Sequence, residues 1–307
     1  MINKVMPIFG RRNAEVIPET RFVLEVKSDN TGTSATNQFT IPTNANGITI
    51  AFNYDVETSD GYTATGLTGD HTITFPSGAG THLIYISGSF PYMFFNNGGD
   101  RLKLLNISNF GVYGLGSTLQ ISSFRGCSNM NITANDAGNF ESVTNFQSTW
   151  QNCSSIISFP LIDTGNGFIF SNTWNGCSSL ALFPLIDTSN ATNLAATWAN
   201  CSSLLSFPLL NTSSNTTFTF TWFGNLNLAN FPSNAFDTSI TTNYSFAFTS
   251  TSLTSQSIDD ILISIDTSGV SSGTFDQSGG SAPSTTGESA ITSLRGKGWT
   301  VTVTGGF

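Results

Sequence analysis

Two hydrophobic periods divide the chain. Up to about residue 99, apolar positions alternate with polar ones in short runs: RFVLEV, QFTIP, ITIAFNY, HTITFP and THLIYISG. Gly, Asn, Ser and Asp separate the runs. A period of two marks half-buried strands. This succession predicts a small antiparallel β-sandwich over 21–99.

From about Asp100 the repeat length grows to two dozen. Cys127, Cys153, Cys177 and Cys201 stand 26, 24 and 24 residues apart, and Asn225 takes the next slot. Other positions keep step with them. Trp150, Trp174, Trp198 and Trp222 lie three residues before, Ile156, Leu180, Leu204 and Leu228 three after, and Phe159, Phe183, Phe207 and Phe231 six after, each Phe followed by Pro. Self-similarity at a period of 20–29 residues signals a solenoid whose units bury their faces only against neighbours. The i, i+4 spacing of Phe146, Phe170, Leu194 and Phe218 to the tryptophans suits one helical turn. The run around Phe-Pro suits a short extended segment. Each coil of about 24 residues therefore reads as a short strand, a turn through DTS or NTS, and a helical turn ending at Trp and Cys. That is the geometry of a leucine-rich-repeat solenoid, expected over 100–254, with a parallel sheet on one face.

The period changes once more near the end. In SIDDILISIDTSG, Ile258, Ile261, Leu262 and Ile265 share one helical face, with Asp259 and Asp260 expected in its first turn. A second helix is expected through Ile291 and Leu294, stopped by Gly296 or Gly298, and WTVTVT alternates as a final strand. Residues 255–307 thus read as a C-terminal α/β cap, and the whole chain as mainly β with short helices.

Composition narrows the chemistry. Only 9% of the 307 residues are charged, against roughly 25% in ordinary globular domains. The surface must therefore rest on hydroxyls and amides, while 26 Phe and 5 Trp supply a core. Five of the ten basic residues, Lys4, Arg11, Arg12, Arg21 and Lys27, lie in the first 27 positions, and the rest of the chain is strongly acidic. Such a body repels phosphate backbones, which argues against nucleic acid. The basic start reads either as an arm for an acidic partner or as a solvated terminus. No run approaches the roughly 18 apolar residues of a membrane span, so no membrane insertion is expected. MINKVMPIFGRRNAEVIPET has no apolar stretch of about 7–15 residues, so no secretory leader is expected either.

Candidate chemistry is sparse. The repeat cysteines lack the paired C-x-x-C knuckles of a zinc site. A thiol stacked on its equivalents about 5 Å away fits a column of buried free cysteines, with Asn225 expected to satisfy turn backbone groups in the same slot. His71 and His82 lie outside the repeats and are expected at the surface or a strand edge. Neither G-x-S-x-G, nor H-E-x-x-H, nor a P-loop is present. No catalytic residue, cofactor or metal is expected. Asp163, Asp187, Asn211 and Asp237 recur after the extended run and read as turn caps, although such a row is also chemically suited to calcium or a sugar. NNGGD at Asn96–Asp100 reads as a plain turn before the array.

The units F-x-x-C-S-N-M and W-x-x-C-S-S-L…F-P-L-I-D-T-S-N resemble BspA-like leucine-rich repeats of bacterial surface proteins and their phage variants. The preceding GTHLIYISGSFPYMFFNNGGDRLKLLNIS looks like a polycystic-kidney-disease-type (PKD-like) domain joined to such an array, without the W-G-D-G turn often seen there. The closing SIDDILISIDTSG…LRGKGWTVTV is similar to that of phage members. The resemblance covers about 20–307. It implies a non-enzymatic adhesion or recognition protein and, with no leader, a virion protein such as a phage tail fibre or receptor-binding protein. Alternatives are a capsid decoration or structural fibre protein, and a bacterial surface adhesin. On this reading residues 1–20, with Lys4, Arg11 and Arg12, dock on other virion proteins, the receptor is a cell-surface glycan or protein, and a homo-oligomer is allowed. The contact face is expected to expose Ser158, Leu182 and Ser206 before the Phe and Ile162, Ile186 and Leu210 after the Pro. Tyr92, Phe94 and Phe95 are expected either to stack on sugar rings or to seal the junction between the two parts.

Overall fold

The computed structural model describes residues 19–43 and 51–307. Lys4, Arg11, Arg12 and all of the expected docking arm before Glu19 lie outside the described residues, as does the start of the ITIAFNY run.

The N-terminal part is a two-layer β unit. Strands β1 (Phe22–Lys27), β3 (Asn53–Thr58), β4 (Thr63–Leu67), β6 (Thr81–Ser89), β7 (Leu104–Asn109) and β8 (Asn131–Ile132) form a six-stranded sheet in the order β4-β3-β6-β1-β7-β8. Strands β2 (Gln38–Ile41) and β5 (His71–Thr74) pair antiparallel as a second layer. Alternation does the sorting. Leu24, Val26, Tyr54, Val56, Ile84 and Ile86 from the large sheet and Phe39, Ile41 and Ile73 from the small one are all buried. His82, expected at the surface or a strand edge, is buried as well, on the inner strand β6. It stacks on Phe75 with ring centroids 3.7 Å apart, and its Nε2 pairs with the Gly78 carbonyl oxygen at 3.1 Å.

The large sheet crosses position 100 without a break. β7 pairs antiparallel with β1, and β8 of the next unit pairs parallel with β7, so antiparallel strands hand over to parallel ones there. A buried ion pair locks this handover. Asp100 accepts from the backbone N–H of Thr33, Ser34 and Thr40 at 2.7–3.0 Å. The Lys103 ammonium lies 3.8 Å from the Asp100 carboxylate and donates to the carbonyls of Ser34, Ala35 and Gln38. The end of NNGGD therefore belongs to a structural clamp that holds its own cation.

Beyond it the repeat units lie one above the next, and two hydrogen-bond directions alternate along each. The N–H groups of Phe146, Ser148, Trp150 and Asn152 donate to Ile169, Ser171, Thr173 and Asn175 of the following unit at 2.7–3.0 Å. The residues between them donate backward within their own unit, Thr149 to Phe146, Gln151 to Ser148 and Cys153 to Trp150. The same pattern recurs one unit on at Phe170–Cys177. The expected helical turn is absent for a definite reason: the chain is left-handed twice in each unit. Ser148, Asn172, Ala196 and Phe220 have φ of 53–59°, and four residues later Asn152, Gly176, Asn200 and Gly224 have φ of 58–80°. No α-helix tolerates such residues in its interior.

Side chains stack in the same register. Trp150, Trp174, Trp198 and Trp222 form a column with centroids 5.6, 5.8 and 6.1 Å apart and planes within 11°. Phe159, Phe183, Phe207 and Phe231 form a second column, 5.6–6.2 Å apart, that meets the indoles edge to face. The extended runs pair only at single parallel bridges, such as Ser158 with Leu182 and Ser206 with Asn230, rather than as the expected continuous sheet.

The C-terminal part contains the two helices found among the described residues, α1 (Ser255–Thr267) and α2 (Thr285–Gly296). Strands β9 (Asn243–Thr249), β10 (Thr274–Ser278) and β11 (Thr300–Thr302) form a parallel sheet in the order β11-β10-β9. Thr254 caps α1, so Asp259 and Asp260 both fall beyond the first turn where they were expected. Asp259 instead accepts from the N–H and hydroxyl of Ser284, the N-cap of α2, and ties the two helices together.

Asp100→Asn or Lys103→Met should destabilise the fold by about 3–5 kcal/mol in urea unfolding, because each leaves its partner charged and buried. Burial raises the Asp100 pKa, but the Ser34 and Thr40 hydrogen bonds and the Lys103 charge lower it further, to a net value below the ordinary carboxylate range. The stability it contributes is therefore complete above the unfolded-state pKa of about 3.9 and is lost as pH falls through the folded-state value. Wild type should lose stability through that acid window, and Asp100→Asn should flatten the loss.

Candidate functional site

The cysteines come first because they are the reactive side chains that the repeat concentrates. All four are free, fully buried and in one column. Cys153, Cys177 and Cys201 donate to the carbonyls of Phe124, Trp150 and Trp174 in the unit before, at 3.1–3.2 Å. Burial pushes every thiol pKa upward, that of Cys201 to about 12. Thiols held neutral and out of solvent are inert. Asn225 occupies the equivalent slot but not the equivalent role. Its amide is buried with neither end hydrogen-bonded, contrary to expectation.

Three members of the row cap turns, whereas Asp237 accepts from the Ser264 hydroxyl of α1 at 2.6 Å. Gly165, Ser189 and Ser213 donate their N–H groups to the side-chain oxygens of Asp163, Asp187 and Asn211 at 2.8–3.0 Å, the Asx-turn geometry. The Ser189 bonds also hold the Asp187 carboxyl below its usual range. No group of three or more His, Cys, Asp or Glu among the described residues is placed to hold a metal ion.

The contact face departs from expectation in its phase. Ser158 and Leu182 point outward and Ser206 is half-buried, but Ile162, Ile186 and Leu210 are buried. Inward positions recur every three residues, at Ile156, Phe159 and Ile162 and again at Leu180, Phe183 and Ile186. Three is the period of polyproline-type winding, which the proline after each Phe favours. The residues thrown outward are instead Leu161, Leu185 and Leu209, exposed by 62, 64 and 52%. They recur at one position of successive units, and Ile157, Leu182 and Leu205 are exposed as well.

The junction aromatics are interior. Tyr92 is fully buried and donates its hydroxyl to the Ile121 carbonyl, and Phe95 is buried near Phe39. Phe94 is half-buried and stacks on Tyr92. Tyr92 and Phe95 thus seal the junction, and Phe94 alone keeps part of its ring open. Exposed aromatic rings occur elsewhere, at Phe168, Phe220, Phe246 and Phe307.

No protein-family model, curated protein or solved structure matches the chain. No helix among the described residues is long and apolar enough to cross a membrane.

A thiol-specific disulfide reagent should modify none of the four cysteines of the native protein at pH 8 and all four after denaturation. Stoichiometric reaction in the native state would mean the column is open.

Proposed function

We propose that the chain is a non-enzymatic phage virion protein, a tail fibre or receptor-binding protein in which a leucine-rich-repeat solenoid presents a contact face to a bacterial cell surface. The resemblance of the repeats and of the closing segment supports the setting. One observation carries the contact itself: an exposed aliphatic face built from Leu161, Leu185, Leu209, Ile157, Leu182 and Leu205. The backbone beneath it is bonded unit to unit, with Ala181 donating to Ile157 and Leu205 to Ala181. Exposed aliphatic residues that recur at one position of successive units suit a contact surface. Its leucines suit a protein receptor or a neighbouring virion subunit. Residues 1–20 fill the role of the docking arm in this reading.

A second reading, a structural fibre or decoration protein, is favoured by the pattern of bulk on the same face. Along one column run Ile157, Ala181, Leu205 and Ala229, and along the next Ser158, Leu182, Ser206 and Asn230. Large residues thus face small ones diagonally, a relief that interdigitates with a second copy about a two-fold axis.

Labelled protein should bind intact cells of a susceptible strain saturably, and Leu185→Asp with Leu209→Asp should reduce that binding at least tenfold. Failure to bind any susceptible strain sinks host recognition. Sedimentation separates the readings: a wild-type dimer that the same pair converts to a monomer, without cell binding, favours the structural fibre.

A further inference from the structure

We propose that the open cavity bordered by Asn211, Ser213, Asn234 and Thr238 is a binding site for a neutral sugar. It adjoins the leucine face through Leu209 and shares no other residue with it. It does not depend on the recognition reading, which bears only on where the sugar comes from.

The first ground is a gap in the stack. Three residues after each Phe of the second column, Ile162, Ile186 and Leu210 point inward. In the next unit that position is Asn234, which is exposed and left-handed with φ of 59°. The hydroxyl bonds that join the turns run one step further. Thr164, Thr188 and Thr212 donate to the carbonyls of Asp187, Asn211 and Ala235 at 2.6–2.7 Å. Ala235 has no side-chain oxygen, however, so the row of Asx turns at Asp163, Asp187 and Asn211 ends there. The chain then turns toward α1, where Asp237 accepts from Ser264. Between Leu209–Ser213 on one side and Asn234, Ala235 and Thr238 on the other lies a cavity of about 480 Å³. Small-molecule sites usually measure about 300–1,000 Å³.

The second ground is unspent hydrogen bonding. Inside the array each turn carbonyl is covered from the following unit. Gly165 accepts from the Asn190 amide and Ser189 from the Ser214 hydroxyl, at 2.7 and 2.6 Å. The Ser213 carbonyl, next in that series, receives no donor among the described residues. The Asn234 amide and the Thr238 hydroxyl, both exposed, make no bond among the described residues either. Asn211 spends only its oxygen, on Ser213, and keeps its amide donors. Free donors and free acceptors thus border one space, and a sugar hydroxyl uses both.

The third ground is the character of the lining. It joins aliphatic Leu209, Leu210 and Ala235 to these amides and hydroxyls and holds no charged residue. A sugar ring has the same division, C–H surface against hydroxyls, whereas an ionic ligand would find no counter-charge. A peptide is the rival occupant. Recognition of an extended peptide draws on the repeating backbone groups of a free strand edge, and here the Ala235 carbonyl is already taken by Thr212.

The test uses the full chain labelled with 15N. Its amide signals are followed by NMR as methyl glucopyranoside, galactopyranoside, mannopyranoside or N-acetylglucosaminide is added. Methyl glucuronide, which is charged, and end-blocked trialanine form separate arms. At least one neutral glycoside should shift the Asn211 and Asn234 side-chain amides saturably. Asn234→Gly with Thr238→Val should weaken that binding about tenfold, because two hydrogen-bonding groups are lost. Glycine accepts the left-handed backbone at Asn234, and Thr238 is exposed, so the thermal midpoint should hold. Thr238→Trp, which fills the cavity instead of stripping it, should abolish binding. No shift with any neutral glycoside, shifts with glucuronide or trialanine alone, or undiminished binding by either variant would overturn the proposal. Cell binding does not enter this readout, so failure of the recognition reading is seen separately.

Discussion

The stack depends on one constraint: successive backbone N–H groups must point in different directions. In each unit, alternate N–H groups reach the carbonyls of the next unit, and those between close three-residue turns within their own. A right-handed helix would spend every N–H internally, and a regular strand would share them between two neighbours. The paired left-handed residues around each tryptophan break both regimes and let one short stretch serve as turn and as intermolecular-style ladder at once. Gly126, Asn152, Gly176, Asn200 and Gly224 fill the second of the two positions, the residue types that bear a positive φ at least cost.

That ladder dictates what the interior holds. Units bonded in register place identical side chains directly over one another, so the interior becomes columns of indole, phenyl and thiol rather than a mixed packing. Columns are efficient for dispersion and stacking, but they repeat their faults as faithfully as their virtues. The indole N–H groups of Trp150, Trp174, Trp198 and Trp222 are all buried without a partner. An orphaned donor of this kind costs about 1–3 kcal/mol. The column closes with rings that have no donor at all, Phe124 at one end and Phe248 at the other.

Much of this was legible in the sequence, and the misses have physical causes. The β strands, the helices and the thiol column follow from periodicity, because burial on one face imposes a fixed spacing. The corner was misread as helical because an i, i+4 aromatic pair is common to a helical turn and to a doubled left-handed turn, and φ leaves no mark on spacing. The contact face was shifted by assuming a period of two, although Ile156, Phe159 and Ile162 already spelled three. Ile157, Leu161 and Leu205 were available from that pattern. The choice between a sugar face and a sealed junction at Tyr92 and Phe95 stayed open because exposure at a junction depends on what packs over it, and local sequence does not encode that. The Asp100–Lys103 clamp reaches groups sixty or more residues distant and was invisible, as was the bulge of β9 opposite Asp276.

The tryptophan column also has an optical consequence. Four indoles lying parallel within 11° at centroid separations near 6 Å are strongly coupled chromophores. Excitation absorbed by one spreads over the row, which makes the near-ultraviolet dichroism a property of the array and not a sum over single residues. Removing one ring from the middle would leave a lone indole and a coupled pair. The protein thus carries an intrinsic gauge of how many of its units remain in line.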